Sequence, residues 1–161
     1  MTDSSTTDEM RIFRWVGISN KKKLFERLAE VLSTVSEDLS FEDILDSLTN
    51  RERMGSTCIG DEVAIPHCKL AINEPFGAIV LLDEPVMCST KEQPISVVFA
   101  FIIPEQECQT HLPLLSEIAA FCREGNWLQR IKSATSDSEL CDILQSSEFN
   151  LAPYVKETSH T

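Results

Sequence analysis

No apolar run in this 161-residue sequence exceeds seven residues, Val97–Ile103, far short of the roughly 20 that a membrane-spanning helix needs. Membrane insertion is therefore not expected. Basic residues are also scarce: 14 Lys and Arg stand against 26 Asp and Glu, a formal net charge of −12. A surface this acidic repels phosphate backbones, so general nucleic-acid binding is not expected, and a basic partner surface is the natural complement. The smallest interval between any two of the six cysteines is ten residues, Cys58 to Cys68. No C-x-x-C pair exists, which removes zinc ribbons and thioredoxin-type redox motifs. Residues 1–10 are polar and acidic and lack the basic start and apolar core of a secretory signal, so a reducing, cytoplasmic location is expected, with free and mostly buried thiols. No metal or cofactor motif is present. Only three histidines occur, at 67, 111 and 160, so chemistry that needs an imidazole has a short list of candidates.

What remains is an ordinary globular composition, 42% apolar and 25% charged, of a length that fits one domain. Arg11–Val16 mixes β-branched and aromatic residues and stops at Gly17, as a short strand would. Leu24, Leu28, Val31, Leu32 and Val35 form the apolar stripe of a helix opened by Ser19. A second helix is expected to start at Ser40 with Asp43 as a weak capping box and to stop at Met54, before Gly55. Gly55–Pro66 is too rich in glycine and small polar residues for a long element and reads as a shaped loop leading into a short strand. Phe76–Leu82 and Ile95–Ile103 are near-continuous β-prone runs that suit strands covered on both faces, the first of them central, with Asp83–Pro94 as their connection. The C-terminal third is helical: Leu114, Leu115, Ile118, Ala119 and Cys122 share one face with His111, a short helix surrounds Trp127, Leu128 and Ile131, and Ser136 with Glu139 makes a capping box. Strands and helices without strict alternation predict an α/β fold, a mixed β-sheet flanked by helices in a single-domain sandwich.

His67 follows Val63-Ala64-Ile65-Pro66, a small apolar strand ended by proline. An imidazole there, beside a loop containing Gly and Ser, can expose one nitrogen while the other is held by backbone or carboxylate, which is what a nucleophilic histidine requires. On residue type alone, a satisfied turn histidine, a solvated helix-end Arg51 and a core or cap His111 are the plainer alternatives. The segment from Asn50 to Leu70, NRERMGSTCIGDEVAIPHCKL, changes that balance. In Arg51-Glu52, Met54-Gly55-Ser56-Thr57, Ile59-Gly60, Ala64-Ile65-Pro66-His67 and Lys69-Leu70 it resembles the phosphorylation-site segment of enzyme IIA domains of the mannitol/fructose type in the bacterial phosphotransferase system, and most of all the nitrogen-regulatory branch. The resemblance spans roughly residues 11–147, which leaves 1–10 as a disordered segment and 148–161 as a C-terminal tail.

The resemblance implies a mannitol/fructose-type enzyme IIA fold and a phosphohistidine mechanism. His67 is the implied phosphoryl acceptor, with its tele nitrogen as the candidate atom. A histidine-containing phosphocarrier protein is the implied donor, and target proteins such as sensor kinases or transporters are the implied regulatory partners. Arg51 falls on the family's arginine, and His111 in Thr110-His111-Leu112 on its second histidine. Such a transfer places negative charge on three equatorial oxygens, so the protein's task is positioning and charge stabilisation. Arg51 offers a planar cationic fork for those oxygens, His111 a hydrogen bond or orientation of the His67 ring, and the loop containing Ser56, Thr57 and Gly60 an anion-binding nest. Cys58 and Cys68 depart from the pattern, each standing where the family commonly has glycine. The plainer reading of both is a tolerated small residue; the sharper alternative is that Cys68, beside an exposed imidazole, has a lowered pKa and makes the site redox-sensitive. Asp61 and Glu62 suggest an acidic neighbourhood that steers a basic donor and weakens as salt rises. Three alternatives stay open: a stand-alone enzyme IIA serving fructose or mannitol uptake, a binding module never phosphorylated, and a Cys/His enzyme or metal protein built on Cys58, His67 and Cys68.

Overall fold

The computed structural model describes residues 12–34, 37, 39–60, 62–88, 93–122, 127–134, 136, 138–139 and 142–143; the expected disordered segment 1–10 and tail 148–161 lie outside them. Six strands form one mixed sheet: β1 (Ile12–Trp15), β2 (Cys58–Gly60), β3 (Val63–Ala64), β4 (His67–Leu70), β5 (Phe76–Cys88) and β6 (Gln93–Pro104). The order is β1-β5-β6-β3-β2, with β4 also on β6. β5 and β6 run antiparallel, whereas β1 is parallel to β5, and β3 and β4 are parallel to β6. Among the described residues the sheet is flanked by the α-helices α1 (Lys21–Ser33), α2 (Phe41–Met54), α3 (Cys108–Cys122) and α4 (Trp127–Ser133).

Period-two alternation along the strands sorts the core into two layers. Ala64, Cys68, Ala78, Val80, Val98, Ala100 and Ile102 face α1 and α2, packing with Leu24, Leu28, Leu32, Ile44 and Leu48. The opposite positions, Val63, Ile65, Ile79, Leu81, Val97, Phe99, Phe101 and Ile103, pack with Ile118 and Cys122 of α3 and Ile131 of α4. Several sheet residues under α1 and α2 are small, which lets the helix pair lie close, while the α3 and α4 face is filled by larger side chains.

The capping signals act as the sequence predicts at α2, where Ser40 Oγ accepts from the Asp43 amide at 3.1 Å, and at Ser136, whose Oγ accepts from the Glu139 amide at 3.1 Å. Two expectations are corrected. α1 is opened by Asn20, not Ser19: the Asn20 side chain accepts from the Lys23 amide at 2.8 Å, an interaction for which Asn is as well suited as Ser. Much of Asp83–Pro94 is strand rather than connection. Pairing slips between Leu81 and Val86 and then resumes, with Val86 opposite Ile95 and Met87 opposite Pro94. Pro85 sits inside the slip and Pro94 in the first residues of β6, positions where a missing amide costs little.

Candidate functional site

β3 and β4 lie on the same side of β6 as two pieces of one line. Val63 and Ala64 pair with Val97 and Val98, and His67–Leu70 with Phe101–Pro104. Between them, at Ile65-Pro66, the line is tied down twice: the Phe101 amide donates to Pro66 O at 3.0 Å and the Ile65 amide to Thr57 O at 2.9 Å. His67 therefore opens a strand rather than closing one, and its half-buried ring turns back over the interruption. Its Nδ1 lies 2.8 Å from Ile65 O. A carbonyl only accepts, so Nδ1 carries the proton and Nε2 is the unprotonated nitrogen.

The ring lines an open depression of about 650 Å³ together with Asn50, Arg51 and Met54 of α2 and Glu105, which follows β6. Met54 is 83% exposed. Arg51 is half-buried in the last turn of α2, and its Nη1 donates to Gly55 O at 2.9 Å; this fixes the guanidinium beside the depression and engages one of its five N–H groups. The sequence thus brings Arg51 and His67 to one cavity although they come from different elements. His111 lies in the first part of α3, the helix that packs on the sheet face shared by Ile65 and Phe101; its side chain is outside the described part.

The loop residues have more local duties. Thr57 is buried, its amide donating to Glu52 Oε2 at 3.0 Å and its hydroxyl to Glu52 Oε1 at 2.6 Å. The Cys58 amide donates to Ser56 Oγ at 3.1 Å. Two amides offered by the sequence for an anion nest are thus engaged by protein acceptors. Gly60 has φ +87° at the slip between Cys58 and Gly60 in the β2–β3 pairing, a conformation that favours glycine.

The charges about the ring are of mixed sign. Burial pushes the His67 pKa down from its ordinary 6.5; the bond to Ile65 and the Glu52 carboxylate pull it up, and the Arg51 and Lys69 cations push it further down, with the downward effects prevailing. The neutral imidazole is the form that the fold favours. A folded pKa below the unfolded value gives a stability contribution that is complete above about 6.5 and is lost as pH falls through the folded value. An NMR titration should accordingly show His67 still mostly neutral at pH 6.5, where an unperturbed histidine is half protonated; a midpoint at or above 6.5 would contradict this placement.

Glu62 does not contribute the acidic neighbourhood expected of it. Its carboxylate accepts from Ser96 Oγ at 2.7 Å and Lys132 Nζ at 2.6 Å. Ser96 is five positions from Phe101, the partner of His67 on β6, or about 16 Å along a strand. Asp61 lies outside the described residues.

Of the two readings of Cys68, the structure supports the plainer one. Cys68 points into the core under α1 and α2, is 3% exposed, and burial pushes its pKa up to about 11 despite a hydrogen bond from Ser47. It fills a small-residue position of the sheet, as a buried thiol ordinarily does. Millimolar peroxide should leave Cys68 of the folded protein unmodified when read by mass spectrometry; sulfenic or sulfinic acid at Cys68 would restore the redox reading. Among the described residues no group of three or more His, Cys, Asp or Glu side chains is gathered as a metal site, and no helix is long and apolar enough to cross a membrane.

Residues 5–147 match the family model described as phosphoenolpyruvate-dependent sugar phosphotransferase system, EIIA 2. The nitrogen regulatory protein of Pseudomonas aeruginosa is 32% identical over 127 residues, covering 78% of this chain and 82% of the relative. The crystal structure of nitrogen regulatory protein IIA-Ntr from Neisseria meningitidis superposes with a TM-score of 0.76 at 31% identity, over 83% of this chain and 92% of that one. Mannitol enzyme IIA of Escherichia coli, in its complex with phosphorylated enzyme IIB, shares the fold at a TM-score of 0.67 and 16% identity, over 84% and 94% of the two chains.

Proposed function

Since this chain belongs to the phosphoenolpyruvate-dependent sugar phosphotransferase system EIIA 2 family, we propose that it is a phosphocarrier of the nitrogen-regulatory kind, which accepts a phosphoryl group at Nε2 of His67 from the phosphohistidine of a small carrier protein. The observation that carries the assignment is the 2.8 Å contact between His67 Nδ1 and Ile65 O. It holds the ring in one tautomer and keeps a lone pair on Nε2, in a cavity that Arg51 also lines.

The chemistry follows from that geometry. The Nε2 lone pair forms the new bond to phosphorus as the N–P bond of the donor breaks, and the donor imidazole leaves with the electron pair of that bond. Positive charge grows on the His67 ring, and the Nδ1–H bond to Ile65 O strengthens as it does so, lowering the barrier without any proton changing hands. The Arg51 guanidinium supplies opposite charge to the equatorial oxygens, and His111 is the second imidazole assigned to them. The bound phosphoryl group then adds about −1.5 to −2 charge at this surface, which alters the partners that fit and makes the site a signal as well as a carrier.

The regulatory reading rests on relatives: the nitrogen regulatory proteins match at about twice the identity of the mannitol protein. Incubation with phosphoenolpyruvate, the first enzyme of the system and each candidate carrier tests both levels. Base-stable, acid-labile phosphate on His67, delivered fastest by a nitrogen-branch carrier, is the expected result. Faster transfer from the sugar-branch carrier, followed by passage to an enzyme IIB, would favour uptake, and no phosphate from any carrier would leave a binding module.

A further inference from the structure

Glu52 has no place in the mechanism above, yet it stands at the start of a line of contacts that ends on the acceptor ring. It lies in the last turn of α2, where the helix dipole disfavours a carboxylate. Its position is set by what it holds. Oε2 is 2.6 Å from Lys21 Nζ in the first turn of α1 and accepts from the Thr57 amide, while Oε1 accepts from the Thr57 hydroxyl. Burial alone would raise the Glu52 pKa, but the bonds from Lys21 and Thr57 and the Lys21 charge prevail and hold it below 4.5. It is a charged clamp with both oxygens in use.

The clamped residue passes the constraint on. Thr57 O accepts from the Ile65 amide, and Ile65 O accepts from His67 Nδ1. Two hydrogen bonds therefore fix Thr57, a third fixes Ile65 against Thr57, and a fourth fixes the imidazole against Ile65. Ile65 is the pivot: it lies in the interruption between β3 and β4, where its amide is held by the loop rather than by β6. Movement of Thr57 moves the only carbonyl known to orient the ring among the described residues.

We propose that Glu52 is a positioning residue for the phosphoryl acceptor, holding the loop at Thr57 so that Ile65 keeps the His67 ring in its Nδ1–H tautomer. The proposal rests on the reading of His67 as acceptor. Among the described residues the charged groups that face the ring are Arg51 and Glu52 from α2, Lys69 from β4 itself and Glu105 from the turn after β6. Loss of the Glu52 charge alone would leave Arg51 and Lys69 less opposed and lower the His67 pKa further. A shift in tautomer is a separate effect, which charge alone does not predict.

The test uses Glu52→Gln and Thr57→Val in the full chain. Gln offers Thr57 one carbonyl oxygen in place of two carboxylate oxygens, and Val removes the hydroxyl while keeping the backbone and the side-chain volume. Ring 15N shifts at pH 8 report the tautomer of His67, and carrier-dependent phosphorylation reports its reactivity. The expected result is a mixed tautomer population in both variants, with a rate lower by roughly 10- to 100-fold in Glu52→Gln and by less in Thr57→Val. An unchanged tautomer overturns the proposal, whether or not the rate falls. If Glu52→Gln does not fold, Thr57→Val decides by the same two readings. If wild type takes phosphate from no carrier, the acceptor reading fails, and the tautomer comparison still decides whether Glu52 governs the ring.

Discussion

The His67→Ala protein is expected to acquire no base-stable phosphate from any carrier while keeping nearly all of its stability. The imidazole is half-buried, and among the described residues its tether is the bond to Ile65 O. Loss of one such bond costs about 1 kcal/mol, or a fall of about 2–4 °C in Tm for a chain of this size. On the proposed reading transfer itself should drop to background, because Nε2 is there the atom that forms the bond, and His111 belongs to a different element. Mass spectrometry under alkaline conditions, beside a thermal melt, separates the two effects. Phosphate retained on His111 in His67→Ala would move the acceptor to α3, and a collapse in Tm would show that the ring is a structural element of the sheet.

The second large effect concerns stability rather than chemistry. Gly77 of β5 is opposite Phe101 of β6, and Phe101 is opposite His67 of β4, so the three residues form one row across the sheet. A Cβ at position 77 would lie 2.6 Å from Phe101 Cδ1 and 3.0 Å from the Ala100 carbonyl oxygen. The aromatic ring occupies the space that glycine leaves, and it is fully buried there. Phe101→Ala should cost about 3–5 kcal/mol through lost burial and the cavity left behind. Gly77→Ala should cost about 1–3 kcal/mol, since the backbone oxygen cannot yield and the ring must leave its rotamer. Urea unfolding would measure both; a Phe101→Ala protein within about 0.5 kcal/mol of wild type, as for an ordinary surface substitution, would be incompatible with this packing.

Local signals in the sequence forecast local structure well. Ser40 announced the start of α2 and Gly55 its end because a cap is decided within four residues. The runs 76–82 and 95–103 announced the two long strands because burial on both faces removes alternation. Asp83–Pro94 reads as a connection because it holds Pro85 and Pro94, but a proline marks a missing amide and does not reveal whether that amide would have faced a neighbouring strand. At the candidate site the sequence names Arg51 and His67, which line one depression, but not the contacts that hold them. Cys68 and His67 are adjacent in sequence and on opposite faces of β4, so strand alternation buries the thiol however near the imidazole stands, and the sharper redox alternative has no support. Glu62 looked like a neighbour of His67, but the extended backbone carries it away to Ser96 and Lys132. The role of Glu52 is not legible in the sequence, because its partners Thr57 and Lys21 are brought together by a turn and a helix pairing that no spacing rule connects.

β4 is a four-residue strand paired with β6 and, among the described residues, with no strand on its other side. Such an edge is a template for strand addition by a second molecule, and its shortness and the exposed Lys69 oppose that. The His67 ring does so too, folded back to occupy the Ile65 carbonyl just upstream of the strand. Deleting the imidazole therefore removes a guard against self-association as well as the proposed acceptor, and the His67→Ala control will require a check by light scattering that it remains unaggregated at assay concentration.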